Sequence, residues 1–252
     1  MRGEMITRSA NPALNKDTFS QVRHLTSSHN LMTLQGTVNK TAILIGLAFL
    51  SAFWVWRQFF MYEMPQISLY IMVGAIGGLI TAMVAIFKPT TSPFVAPIYA
   101  LLQGLFLGGI SSLMEARFPG IVIQSVGLTF GTLFALLFAY KSGLIKATEN
   151  FKLGVAAATG GIFLMYMVNI ILGFFGASIP FIHDTGFFGI GISAFIVIIA
   201  ALNLVLDFDF IEHGVEQGAP KFMEWRAALG LMITLVWLYI EILHLISKLR
   251  SR

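Results

Sequence analysis

Seven long apolar stretches follow a polar segment of about 40 residues. Each stretch holds about 20 residues, which is the length that an α-helix needs to cross roughly 30 Å of hydrocarbon. Short segments rich in Pro, Gly or charge separate them, so consecutive helices are predicted to pack as antiparallel hairpins. The predicted spans are residues 41–61, 66–87, 94–113, 120–140, 153–175, 187–206 and 225–246.

Composition supports a membrane protein over a soluble one. Hydrophobic residues make up 57% of the chain and charged residues 11%, whereas a soluble domain carries about 25% charged residues. Such a chain cannot cover its surface with polar groups in water and needs lipid as its solvent. We therefore predict an all-α integral membrane protein with a flexible cytoplasmic tail (1–40) and a seven-helix transmembrane domain (41–252).

Basic residues predict the orientation. Lys and Arg concentrate in the tail and in alternate loops, which favours a cytoplasmic N-terminus. Seven full crossings would then place the basic C-terminus, with Lys248, Arg250 and Arg252, on the opposite side. The crossing of the last helix is therefore the least secure. No basic run interleaves with aromatic residues, so nucleic acid is not a predicted partner.

The sixth apolar stretch ends in a group of polar residues, Asn203, Asp207, Asp209 and Glu212. Three carboxylates at the negative pole of a helix repel one another, which suits a proton-sensitive or cation-attracting mouth. The alternative is a helix that leaves the membrane here and exposes solvated acids. Both interpretations remain open at this point.

Glu241 is the clearest buried carboxylate of the chain, because apolar residues flank it in the last stretch. His244 lies three residues on and shares its helix face. Polar groups are costly against lipid, so this helix should lie inside the bundle. The alternative is a Glu that bonds locally near the interface. Arg57 is either an interfacial anchor or an ion-pair partner of a buried carboxylate.

Enzyme chemistry has little support. The chain has no cysteine, which excludes thiolate nucleophiles and thiolate metal sites. Glu241 and His244 have the Glu-x-x-His spacing of carboxylate-bridged metal sites, but such sites need a second copy and further Glu ligands. We predict neither an enzyme nor a cofactor.

Four segments carry a resemblance to a known family: residues 32–41, 96–104, 204–212 and 235–250. With them the chain resembles the Bax inhibitor-1 family, in particular its bacterial branch. The resemblance implies a seven-helix fold whose C-terminal helix is central and wrapped by the other six. It also implies an inner-membrane location and a pH-sensitive calcium leak gated by two carboxylates.

By motif matching, the two gating positions are Asp207 and Glu241. The family has Asp at the second position, and its third-span motif usually reads Glu-Gly where this chain has Gln103 and Gly104. The 34 positions between Asp207 and Glu241 make a direct contact strained at about 1.5 Å per residue. Glu224 lies at a depth closer to Asp207.

Two functional hypotheses follow. The first is a proton-regulated Ca²⁺ pathway in which Asp207 and Glu241 share a proton or an ion pair, with Asp209 as a further candidate Ca²⁺ ligand. Asn203, Glu212, Glu224, His244 and Arg57 would support it. The second is a non-transporting stress regulator that binds another membrane protein, such as a quality-control protease. Lipid, protons and Ca²⁺ are the partners of the first hypothesis.

Overall fold

The computed structural model describes residues 31–62, 66–176, 179 and 184–251. Seven helices in this part are long and apolar enough to cross a membrane, which confirms the predicted all-helical fold. A single 3-10 turn, Pro89–Thr91, precedes the third helix. The helices are α1 Leu34–Tyr62, α2 Ile67–Phe87, α3 Ser92–Arg117, α4 Ile121–Lys141, α5 Glu149–Phe174, α6 Phe187–Glu216 and α7 Met223–Arg250.

Two helices extend well beyond the predicted spans. α1 begins at Leu34, inside the predicted tail, and α6 continues to Glu216, past the predicted end at residue 206. In both cases hydropathy falls where polar side chains enter the helix, although the backbone stays helical. The predicted tail (1–40) therefore overlaps the first residues of α1, and residues 1–30 lie outside the described part of the chain.

Large apolar side chains cover the outside of the bundle. Phe49, Phe134, Phe174 and Phe188 are among the most exposed, although water would make such exposure very unfavourable. Contiguous apolar surface of this extent is what a hydrocarbon solvent requires. The outer surface therefore supports the membrane location independently of helix length.

The C-terminal helix α7 is the most buried. In its most apolar stretch 61% of residues are buried, compared with 11% in α5. It packs against α1, α3, α4 and α6. Its location inside the bundle agrees with the position of Glu241, while wrapping by all six helices stays a prediction.

Glycines let α3 approach its neighbours closely. A Cβ on Gly104 or Gly108 would lie 2.3 or 2.6 Å from backbone carbonyl oxygens of α1, and one on Gly74 would lie 2.5 Å from a carbonyl oxygen of α3. Small residues four apart are typical of such membrane contacts. Gly127 and Gly131 have the same spacing on α4, yet a Cβ on either would meet no atom within 4 Å.

A buried carboxylate connects the start of α1 to the start of α7. Glu224 is 0% exposed and accepts hydrogen bonds from the Thr33 backbone nitrogen (2.9 Å) and the Thr33 hydroxyl (2.8 Å). It also pairs with Lys40. A Cβ on Gly36 would lie 2.2 Å from the Glu224 carboxylate. The residues after position 31 are therefore held against the α6–α7 turn.

Replacing Glu224 tests this connection. We expect Glu224→Ala to lower the free energy of unfolding by about 3–5 kcal/mol, because Lys40 and the Thr33 donors lose a buried partner. Thermal unfolding in detergent measures the change. Glu216→Ala is the matched control, since Glu216 is exposed, and it should leave the melting temperature nearly unchanged. Equal effects of the two substitutions would contradict the structural role of Glu224.

Candidate functional site: two acidic centres at different depths

Glu241 forms the first acidic centre, on the inward face of α7. Its side chain is 4% exposed. The Tyr166 hydroxyl on α5 donates to Glu241 Oε1 at 2.8 Å, and Trp237 Nε1 donates to the same oxygen at 3.1 Å. Both donors are neutral. A carboxyl group therefore lies in the interior and forms these two hydrogen bonds with uncharged side chains.

Asp209 on α6 belongs to the second centre. Lys152 Nζ on α5 lies 2.7 Å from Asp209 Oδ2, and Glu149 lies 3.7 Å from the same ammonium group. In the sequence, Lys152 directly precedes the predicted span 153–175 and is therefore one of the predicted loop charges. It instead lies in the first turn of α5, almost completely buried. Glu149 lies three residues earlier, and this spacing alone could have indicated an ion pair of Lys152 on the first turn of a helix. Nothing in the sequence indicated Asp209 as a partner of Lys152.

Asp207 and Asn203 lie in the same part of α6, one helical turn apart. Asp207 is 1% exposed. The Asn203 amide donates to the Thr159 hydroxyl on α5 and to the backbone oxygen of Ile199, both at 2.8 Å. Asp207 and Asp209 are therefore buried in the protein and are not the solvated acids of the alternative interpretation. Glu212 is exposed and accepts a hydrogen bond from Tyr140 at 2.5 Å.

Cross-helix contacts give the relative depths of the two centres. The pairs Asn203–Thr159 and Asp209–Lys152 define how antiparallel α5 and α6 align. Tyr166, the partner of Glu241, is then level with residue 196 of α6. Asp207 is about 11 residues away along α6, or about 16 Å at 1.5 Å per residue.

A second set of contacts supports this separation. Lys248 on α7 donates to the Gly189 backbone oxygen at 3.2 Å and to the Ser193 hydroxyl at 2.8 Å on α6. This alignment places Glu241 level with residues 196–200, which is about 10–16 Å from Asp207. A proton shared directly between Asp207 and Glu241 does not fit this conformation, so the direct pair proposed from the sequence is corrected to two separate centres.

The three candidate Ca²⁺ ligands do not converge on one point. Asp209 pairs with Lys152, and Glu241 bonds to side chains at another depth. Among the described residues, no group of three or more His, Asp or Glu side chains could hold a metal ion. The described residues therefore form two acidic centres at different depths along the bundle, and their carboxylates do not form one calcium-binding site.

Three other predicted residues lie apart from these centres. Arg57 is exposed, and its Nε donates to Met61 Sδ at 3.3 Å. Within the described residues no carboxylate forms an ion pair with it, which favours the interfacial-anchor interpretation. His244 is exposed although it shares a helix face with Glu241 by spacing. Glu224 lies at the start of α7, where it binds the segment before α1.

The basic C-terminus has structural partners. Besides the contacts of Lys248, Arg250 donates to the Pro119 backbone oxygen at 2.7 Å and to Gln124 at 2.9 Å. Both side chains therefore tie the end of α7 to other helices of the bundle. Their charge does not argue against a full crossing by α7, because it serves contacts within the protein.

Seven apolar helices that bury a set of ionisable side chains define an integral membrane protein with a polar interior. A family model described as "Bax inhibitor 1 like" matches residues 11–251. The chain belongs to the Bax inhibitor 1-like family. Neither a curated protein nor a solved structure matches it.

The Lys152–Asp209 pair can be tested by a double-mutant cycle. We expect Lys152→Met and Asp209→Asn to destabilise the protein individually, because each leaves the partner charge buried. Their combination should cost less than the sum, with a coupling energy of about 0.5–3 kcal/mol. Thermal unfolding of the four proteins measures it. Lys146→Met, at an exposed lysine, is the control, and additive effects of Lys152→Met and Asp209→Asn would show that the pair does not act as a unit.

Proposed function

We propose that this protein is a pH-sensitive cation leak pathway of a cell membrane, with its N-terminus in the cytoplasm and Ca²⁺ as the permeating ion. The pathway follows the interior between α5, α6 and α7. Its two acidic centres are Asp207 with Asp209, and Glu241. In this proposal the centres act in sequence, because they lie at different depths.

The burial of Glu241 is the observation that best supports the proposal. An ionised carboxylate inside a membrane is costly, by about 2.5–3.5 kcal/mol for an acid at the helix centre on insertion scales. The cost would be smaller with an apolar or amide side chain at this position. Tyr166 and Trp237 orient the carboxyl group without neutralising it. A group placed at such cost in the interior favours a role in proton or cation binding.

The two protonation states would give the leak its pH dependence. At low pH the carboxyl groups are neutral acids that offer little attraction to a cation. At higher pH they are carboxylates, and Ca²⁺ prefers carboxylate and carbonyl oxygens as ligands. Conduction also requires several weak sites in place of one tight site. Two separated centres satisfy this condition, and flux should rise with pH.

Lys152 supplies a built-in cation at the second centre. Its ammonium group lies 2.7 Å from Asp209, where it neutralises a carboxylate that would otherwise attract Ca²⁺. Displacement of Lys152 would therefore be needed before a cation can occupy that position. This explains why the conformation described here corresponds to a closed state in our proposal.

Calcium flux into proteoliposomes across a pH series tests the function. We expect wild-type flux to increase with pH. Glu241→Gln should lower the flux and flatten its pH dependence, because the amide keeps the shape of the acid and cannot ionise. Asp207→Asn should have a similar effect, and the double variant should lose most of the flux.

Glu212→Gln is the matched control on α6, since it removes one acidic charge from an exposed position. Its flux should equal that of the wild type. The proposal fails if Asp207→Asn combined with Glu241→Gln leaves both the flux and its pH dependence unchanged in liposomes that contain folded protein.

A second candidate function, binding of another membrane protein, is supported by one surface of α4. Gly127 and Gly131 are exposed on one face of this helix with open space beside them. Small residues four apart allow close approach of a second helix. Gly127→Ile with Gly131→Ile should then abolish recovery of a specific partner from membranes, while calcium flux stays unchanged. Unchanged recovery would exclude this surface as the contact.

A further inference from the structure

A cavity of about 440 Å³ lies between α1 and α4, on the opposite side of α7 from α5. Its volume falls in the range of small-molecule sites, about 300–1,000 Å³. Both α1 and α4 pack against α7, and both contact α3, so α3 and α7 form the floor of the cavity. None of the acidic residues of the proposed cation pathway, Asp207, Asp209 and Glu241, lines this cavity.

The cavity has a defined direction relative to the membrane. Gly104 of α3 faces Ala48 of α1, and Gly108 faces Ala52, so α1 and α3 run in parallel. The cavity extends from Trp56 and Glu115, near the ends of these helices, towards the middle of the bundle. It covers residues 45–56 of α1 and 122–130 of α4, which correspond to about 16 and 12 Å of helix.

This length is about half of the roughly 30 Å hydrocarbon thickness. One end of the cavity lies near the ends of α1 and α3, at Trp56 and Glu115, and the other lies deeper in the bundle. A transmembrane helix would need the full thickness and a groove about 10 Å wide. The dimensions fit a single acyl chain better than a partner helix.

The cavity opens sideways to lipid. Phe49 and Phe53 on α1 and Ile123 on α4 line it and are also 66%, 56% and 73% exposed on the outer surface. In a membrane these side chains face the acyl chains of the adjacent leaflet. A lipid chain can therefore enter from the bilayer without passing through the interior of the protein.

Four polar residues of the lining, Ser111, Tyr239, Thr129 and Glu115, already have hydrogen-bond partners. Ser111 and the Tyr239 hydroxyl lie 2.7 Å apart, and the Thr129 hydroxyl donates to a backbone oxygen of α4. Glu115 accepts from the Gly120 and Val122 backbone nitrogens at 2.6 and 3.1 Å, which places its charge at the start of α4. An apolar occupant thus breaks none of these hydrogen bonds, whereas a hydrated cation would face mainly apolar walls.

We propose that this cavity binds one acyl chain of a phospholipid from the leaflet in which α1 and α3 end. The chain lies between α1 and α4, with its terminal methyl near Met232 and its middle near Tyr239. Such a lipid chain would fill the space between α1 and α4 and would stabilise the conformation in which these two helices are apart.

Photolabelling of the full chain in nanodiscs tests this inference. Phospholipids with a diazirine at the middle or at the end of one acyl chain are photolysed, and adducts are mapped by mass spectrometry. Met232 and Tyr239 are only 2% and 8% exposed, so lipids that merely surround the protein should not reach them. We expect the mid-chain probe to label Tyr239 and the chain-end probe to label Met232.

Matched variants separate the cavity from the general lipid surface. Val126→Trp fills the cavity from α4 and should abolish labelling of Tyr239 and Met232. Leu128→Trp, on the lipid-facing side of the same helix, should leave it unchanged. If Val126→Trp fails to fold, Ile45→Trp fills the cavity from α1, and a folded variant is recognised by its monodisperse elution and its melting temperature.

Three outcomes would overturn the inference. Labelling confined to outward-facing residues in the wild type would mean contact with surrounding lipid only. Persistent labelling of Tyr239 in a folded, filled variant would show that the chain lies elsewhere. Labelling of Tyr239 by a diazirine fatty acid but not by the phospholipid would identify a free fatty acid as the occupant.

Discussion

The cost of placing charge in hydrocarbon is the constraint on which the rest of this structure depends. The membrane forces charged side chains either to the surface or into contacts within the bundle. Glu224, Asp209 and Glu241 are buried, and each has a partner on another helix. These partners are Lys40 for Glu224, Lys152 for Asp209 and Tyr166 for Glu241. These contacts connect helices that are distant in sequence, so the ionisable groups organise the interior that lipid alone would not specify.

This constraint also distinguishes the buried acids from one another. Glu224 has a lysine and the donors of Thr33, so its charge is compensated and its role is structural. Asp209 is compensated by one lysine that could be displaced. Glu241 receives hydrogen bonds only from neutral donors among its contacts described above. This difference in hydrogen-bond and ion-pair partners explains why the proposed proton and cation chemistry is assigned to Glu241 and the end of α6, and not to Glu224.

The two sides of α7 serve different chemistry. The side facing α5 and α6 carries Glu241, one of the two acidic centres, whereas the side facing α1 and α4 is apolar and borders the lipid-accessible cavity. α7 is also the most buried of the seven helices, so both of its sides contact other parts of the bundle.

The sequence by itself determined the membrane class, the number of spans, and the family, because helix length, apolar composition and the acidic C-terminal motifs are local properties. It also identified Asp207, Asp209, Glu224 and Glu241 as unusual, because an acidic residue in or beside an apolar run can be recognised from the sequence alone. Only the tertiary structure decided their partners and depths. The Lys152–Asp209 pair and the Glu241–Tyr166 bond join residues 57 and 75 positions apart, and hydropathy carries no information on which helices become neighbours. The C-terminal end of α6 was predicted too early for the same reason. Its acids lower the local hydropathy, although contacts with α5 keep Asp209 buried.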